Sequence, residues 1–395
     1  MKIRVILIAL LCCVPYLANA NEASLSQYAL NRVQQANHYA QKSQYNKAID
    51  LLQHLKLNQA YDRAYVARTL GVYYWQANNA VQAIKQLQKA VDSRVLTDQQ
   101  AWTSAKMLAD LLLMQHQFTK ALTYYYPLTQ KIPRGQNGSE LWLRIAQANY
   151  QLSQWHKVLS AIEQYHIYKP AHSVPDLSLQ LGAQVELKDW RGAQASAKQL
   201  VALEPANVDW WRQLSAIQSQ RKLFKPALST LALAKLQGVK LSQSDYHLLA
   251  QLYARVGVPL RAAQTMSELT DLKKKTSFIA QQASYWQAAK EWDKAISTWS
   301  LAAEKDPIYR WNVVQIQLQQ GRYTQALLSL DKIKDPLDKI KQPKQNAKIA
   351  LAKTQAYYHL ERLADALKQA KLAQHLSPSE EAKSWIKYLS GLVNE

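Results

Sequence analysis

Metal or acid–base chemistry would first be sought among the nine histidines, of which His156, His166 and His172 form the densest group. Two histidines one helical turn apart would aim two imidazole nitrogens at a single zinc ion. No His-x-x-x-His pair occurs, so these three are expected to be surface or turn residues. No G-x-S-x-G nucleophile elbow is present, and the acids Glu163, Asp189 and Glu291 fall at helix and turn positions where solvation accounts for them. Pro133-Arg134-Gly135-Gln136-Asn137-Gly138-Ser139-Glu140 precedes a helix, whose amides together with Arg134 would suit a phosphate. It lacks the lysine and the preceding strand of a phosphate loop, and is expected to be a turn in which Ser139 caps the next helix. The sequence predicts no catalytic residue, no metal ligand and no cofactor. A carboxylate pair assembled from distant parts of the chain is the enzymatic arrangement left open.

The elements that would position any site are helices. The 395 residues are 48% hydrophobic, too apolar for a disordered chain, and no second apolar stretch reaches the roughly 18 residues that cross a bilayer. Only 9 glycines argue against doubly wound nucleotide-binding folds and propellers. Lys2 and Arg4, the apolar run from Val5 to Val14 and Ala18-Asn19-Ala20 read as a secretory signal over residues 1–20. Cleavage there removes both cysteines, which suits an oxidising compartment, with a bacterial periplasm the first choice. The formal charge is +21. With Lys2 and Arg4 removed, 47 basic side chains would face 28 acidic ones, leaving +19.

An internal repeat dominates the chain. A small or branched residue recurs at Ala48, Ala83, Ala121, Val158, Ala193, Ala227, Ala262, Ala295, Ala326 and Ala366. Three positions earlier stand Tyr45, Phe118, Trp155, Trp190, Phe224, Trp292 and Tyr323, and twelve positions later Pro133, Pro170, Pro205, Pro307 and Pro378. Upstream run apolar stripes such as Leu70-Gly71-x-x-Tyr74 and Tyr246-x-x-Leu249-Ala250-x-x-Tyr253. These residues resemble the tetratricopeptide repeat, a 34-residue antiparallel helix pair patterned W-x2-L-G-x2-Y, A-x3-F, P. The resemblance implies an all-α fold, a right-handed α-solenoid of about ten helix pairs over residues 21–378, with residues 379–395 as a capping helix. Pro259 at an aromatic position, an extra residue before Leu181-Gly182, and a polar insertion around Asp335-Pro336 and Gln342-Pro343 depart from the pattern.

The same resemblance implies that the first helix of each pair lines a concave face. Mapped there are Tyr65, Arg68, Trp75, Lys106, Tyr150, Arg212, His247, Arg255, Trp311 and Lys348. Interleaved basic and aromatic side chains can hold an extended peptide through charge-assisted bonds and stacking. Alternatively, Trp75 and Trp311 belong partly to the core and the cations are only solvated. The lysine and asparagine clamp of chaperone-adaptor relatives is not carried over, since Val33 pairs with Asn37 and Arg68 with Val72. The expected function is a non-enzymatic periplasmic scaffold for envelope proteins with acidic or extended segments, with peripheral contact to anionic lipid or lipopolysaccharide as a second possibility. The layout resembles repeat proteins that accompany TonB–ExbB–ExbD-type energy transduction. Polysaccharide export or envelope assembly, and an envelope hydrolase with an unrecognised site, are the alternatives. Lys273-Lys274-Lys275 and the lysines from Lys332 to Lys348 could follow a phosphate backbone, yet a secreted chain meets little nucleic acid and none is expected as partner.

Overall fold

A computed structural model describes residues 24–333 and 343–393. The signal segment, most of the polar insertion, and Lys334, Lys339 and Lys341 lie outside these residues. Among those described there is no strand, and the all-α expectation holds. The first helices are α1 (Gln27–Gln41), α2 (Tyr45–Gln53), α3 (Ala60–Gln76), α4 (Ala80–Asp92) and α5 (Asp98–Met114). They are followed by α6 (Phe118–Leu128), α7 (Gly138–Gln151), α8 (Trp155–Tyr168), α9 (Val174–Glu186) and α10 (Trp190–Leu203). Next come α11 (Val208–Gln220), α12 (Phe224–Leu236), α13 (Gln243–Arg255), α14 (Pro259–Met266), α15 (Thr276–Ala288) and α16 (Trp292–Lys305). The chain continues with α17 (Arg310–Gln319), α18 (Tyr323–Asp331), α19 (Pro343–His359), α20 (Leu363–Leu376) and α21 (Glu380–Val393). Two compact units divide within α10, Met1–Ser196 and Ala197–Glu395. Within the units, α1, α3, α5 and α7, and then α11, α13, α15, α17 and α19, each pack on the even-numbered helix that follows. No helix of the described residues is long and apolar enough to cross a membrane.

The recurring small residue explains the pairing. Each of its ten occurrences, Ala48 through Ala366, is 0% exposed, and each lies three residues after the start of an even-numbered helix. A methyl-sized side chain there lets the two helix axes approach. The aromatic three residues earlier is the first residue of that helix. Pro259 occupies the equivalent position in α14 without penalty, because a first helical residue has no intrahelical use for its N–H. Gly71 carries the close approach in the second pair. A Cβ built there would lie 2.6 Å from Leu87 Cγ.

The turn between the two helices of a pair is the same device ten times. The second residue before each even-numbered helix has positive φ: Ser43, Asn78, His116, Ser153, Lys188, Lys222, Lys290 and Glu361, with Gly257 and Gly321 in the other two turns. The next residue donates its N–H to a carbonyl five residues back, as in Asn79 to Tyr74 at 2.8 Å and Glu291 to Trp286 at 3.0 Å. This is the Schellman closure, normally built on glycine. Here eight non-glycine residues take the left-handed conformation, at a cost of order 1 kcal/mol each, and packing on both sides holds them there.

Two expectations change in detail. Asn137, not Ser139, caps α7: its Oδ1 accepts from the Glu140 N–H at 3.2 Å, and the Ser139 hydroxyl donates to the same oxygen at 2.7 Å. Pro170, Pro205, Pro307 and Pro378 each stand two residues after an even-numbered helix, whereas Pro133 stands five after α6, which carries Pro127 inside its last turn.

The crossings are tight enough to test. Ala295 is 0% exposed and sits in a cluster with Ala263, Ile279, Ala283, Trp286 and Trp299. Ala295→Trp should cost about 1–3 kcal/mol through overpacking. Urea denaturation followed by circular dichroism reads this directly, and an unchanged midpoint would mean that α15 and α16 do not cross at this residue.

Candidate partner-binding surface

All ten side chains expected on the binding face lie on odd-numbered helices, as the repeat register requires: Tyr65, Arg68 and Trp75 on α3, Lys106 on α5, Tyr150 on α7, Arg212 on α11, His247 and Arg255 on α13, Trp311 on α17 and Lys348 on α19. Their surroundings differ. In the N-terminal unit Trp75 and Tyr150 are half-buried against the main core cluster. Tyr150 fills the notch left by Gly182, where a Cβ would meet its hydroxyl at 2.6 Å, and packs edge-on against Trp155 with ring centroids 5.1 Å apart. Lys106 is spent on neighbours, donating to Asp110 and Glu140 at 3.0 Å each. Burial pulls its ammonium down, but the two carboxylates outweigh burial and hold it above its ordinary value. Asp110 also accepts from the Tyr125 hydroxyl at 2.5 Å, and burial first, then that carboxylate, pushes the phenol up. Arg68 lies over Tyr65, guanidinium to ring centroid 5.9 Å.

In the C-terminal unit Arg212 is fixed just as firmly. Its Nε and Nη2 grip both oxygens of Asp245 at 2.7 Å, and its Nη1 donates to Asp209 at 2.8 Å. The bond to Asp245 is the main reason the guanidinium is held above its usual range. Burial pushes the Asp245 carboxyl up, yet Arg212 together with the Ser242 N–H and hydroxyl brings it below the ordinary carboxylate value. His247 bonds Gln281 at 2.7 Å, and Arg255 stacks on Phe224 at 4.5 Å. Lys106–Glu140 and Arg212–Asp245 are therefore rungs between successive odd-numbered helices, 34 and 33 residues apart.

Trp311 and Lys348 differ from the rest. The Lys348 ammonium stands 4.3 Å above the indole centroid. Both line a cleft of about 260 Å³ with Pro307, Ile308, Asn312, Ile333, Gln345 and Ile349. The indole Nε1 is buried and, among the described residues, has no hydrogen-bond partner. Burying a donor without a partner costs about 1–3 kcal/mol. A carboxylate entering the cleft would meet the Lys348 charge, and a turn of the Trp311 side chain would bring its N–H to the same acceptor and recover that cost. The ammonium over the ring adds a cation–π attraction that fixes its position.

A larger cleft, about 490 Å³, lies among α2, α3 and α4, lined mainly by Leu52, Leu55, Leu57, Val66, Ala67 and Leu70. Its Arg63 is committed to the carbonyls of Leu57 and Asn58 at 3.2 and 2.6 Å. None of the ten expected residues lines it. Of the basic run, Lys275 is 3.3 Å from Asp271 and stands over the Phe278 ring at 4.7 Å.

No protein-family model matches the chain, and no curated protein matches it. Among solved structures, a tetratricopeptide repeat protein from Parabacteroides merdae is 12% identical, with 65% of this chain and 100% of that one covered and a TM-score of 0.36. The C-terminal part of a TPR repeat-containing protein from Cytophaga hutchinsonii is 13% identical over 70% and 98% of the two chains, TM-score 0.39. YrrB, a TPR protein with an unusual peptide-binding site, is 14% identical over 57% and 98%, TM-score 0.30. With TM-scores below 0.5, the reading of function rests on this chain's own residues.

Proposed function

We propose that the chain is a non-enzymatic helical-repeat scaffold that holds an extended, acidic segment of a partner protein, anchored at the cleft between Trp311 and Lys348. The observation that carries this reading is the indole N–H of Trp311, without a partner among the described residues, beside the Lys348 ammonium. A carboxylate of a bound segment would pair with Lys348, and with the indole turned toward the cleft the same group would accept from its N–H. Arg212 and Lys106, already forked onto Asp245 and Glu140, act as rungs of the frame rather than as partner contacts. The basic, apolar, Ala18-Asn19-Ala20 start and the net charge of +21 support a bacterial envelope setting, with the periplasm as compartment. Within it, an accessory role to a TonB-type energy-transducing system is the first reading, and a scaffold in polysaccharide export or envelope assembly the second.

The test is fluorescence anisotropy of the full chain with labelled extended peptides, acidic and neutral, at low and moderate salt. Acidic peptides should bind tighter. Raising the salt should weaken them without abolishing binding, since exposed ion pairs are screened while stacking on Trp311 is not. Lys348→Gln should remove the preference for acidic peptides. Equal affinity for acidic and neutral peptides, or an unaltered preference in Lys348→Gln, would sink the proposal; complete loss with salt would point to a purely electrostatic surface.

A further inference from the structure

His166 lies in the last turn of α8, His172 in the connection that follows, and Asp176 in the first turn of α9. The sequence spacing, His-x5-His-x3-Asp, matches no single-helix zinc pattern because the ligands straddle two helices. Asp176 is 0% exposed. Its Oδ1 is satisfied by the Ser173 N–H at 2.8 Å and by the Ser173 hydroxyl. Its Oδ2 is buried with no hydrogen bond among the described residues, and so is His166 Nε2. These two orphaned atoms face one another at 3.4 Å, and His172 Nδ1 lies 3.5 Å from the same Oδ2. The three ligand atoms all fall within 4.8 Å of one another.

The tautomer of His166 follows from its other nitrogen. Nδ1 is 3.1 Å from the Lys169 carbonyl, which can only accept, so Nδ1 carries the hydrogen. In the neutral ring Nε2 then presents a lone pair to a carboxylate oxygen that is itself lone-pair rich. A positive centre between the two atoms would reconcile them. The pair is not aligned as a hydrogen bond, which argues against a single shared proton. A tetrahedron with bonds of about 2.0–2.1 Å has ligands about 3.3–3.4 Å apart along each edge; the two distances to Asp176 Oδ2 match it, and the set as a whole, which spans up to 4.8 Å, closes onto an ion by a small turn of the exposed His172 ring. The Lys169 carbonyl on the far side of His166 is the kind of outer partner that orients a ligating imidazole.

We propose that His166, His172 and Asp176 form a zinc site. Two imidazoles and one carboxylate are a borderline donor set that favours zinc over magnesium or calcium. With His172 41% exposed, the fourth position is reached from the surface, and water or a partner's side chain completes the shell. The ion would tie the end of α8 to the start of α9 within the N-terminal unit, at the junction between the fourth and fifth helix pairs.

The test uses the full chain, expressed without a histidine tag and stripped of metal with a chelator. Zinc titrated against a chelating indicator should load one equivalent, and excess magnesium should not displace it. Cobalt should give the intense visible absorption of a tetrahedral site. His166→Gln and His172→Gln should each weaken zinc binding at least about tenfold. His172 is half-exposed, so its variant should keep the wild-type circular dichroism spectrum. Zinc should raise the thermal midpoint of the wild type in a concentration-dependent way, and His172→Gln should need about tenfold more zinc for the same rise. If the wild type takes up no zinc, or if His172→Gln binds it equally well, the proposal is wrong.

Discussion

Leu87→Ala should lower the stability of the N-terminal unit by about 2–5 kcal/mol, the range for deleting a fully buried leucine side chain. Leu87 is 0% exposed and belongs to the largest cluster of that unit, with Ala83, Trp102, Leu108 and Leu112. It also fills the notch opposite Gly71, where a Cβ would sit 2.6 Å from its Cγ. The two positions are therefore coupled. Gly71→Ala alone should destabilise, because the added methyl has no room. In the Leu87→Ala background it should recover part of the loss, because the methyl then enters the cavity. Leu236→Ala, at an 83% exposed position, should change stability by less than about 0.5 kcal/mol. Urea unfolding of the four variants checks the set. Equal penalties for Gly71→Ala in both backgrounds would show that the helices do not meet there.

Asp245→Ala should cost about 2–4 kcal/mol. It removes both grips on Arg212 and, with them, the carboxylate that accepts the Ser242 N–H in the capping box at the start of α13. The loss stays below that of a fully buried pair because Arg212 is 37% exposed and keeps Asp209 as partner. The pH dependence has a defined sign. Because the folded Asp245 carboxyl is held below its ordinary value, its contribution is fully present above about pH 4 and is lost as pH falls through the lower folded value. The wild type should therefore lose stability on acidification more steeply than Asp245→Ala over that window. Parallel acid limbs for the two proteins would contradict the pairing.

Much of the frame was legible in the sequence because close helix crossings demand small residues. Ala48, Ala83, Ala295 and their equivalents mark the crossings, and the aromatics three positions earlier mark where the second helices begin. The turns were not legible. Ser43, His116, Lys188 and Glu361 are ordinary residue types, and nothing in them signals a left-handed backbone; only their fixed offset from the next helix does. For the surface, residue type and register placed Arg212 and Lys106 on odd-numbered helices, but type cannot tell a free cation from one gripped by the next repeat. A search for opposite charges one period apart would have found Lys106 with Glu140 and Arg212 with Asp245. His166 and His172 stand out in the sequence as part of the densest histidine group and read there as surface or turn residues, because Asp176 joins them only where α8 and α9 pack end to start.

An acidic, extended segment seated at the cleft of Trp311 and Lys348 would leave its mark on the residues it touches. A photo-crosslinking residue placed at Asn312, which lines the cleft, and another at the exposed Leu236 on α12, should be irradiated with an acidic peptide bound and the products mapped by mass spectrometry. The account predicts strong crosslinking from position 312, little from position 236, and loss of the position 312 product in Trp311→Ala with Lys348→Gln. Equal yields at both positions, or a position 312 product that survives the double substitution, would contradict it.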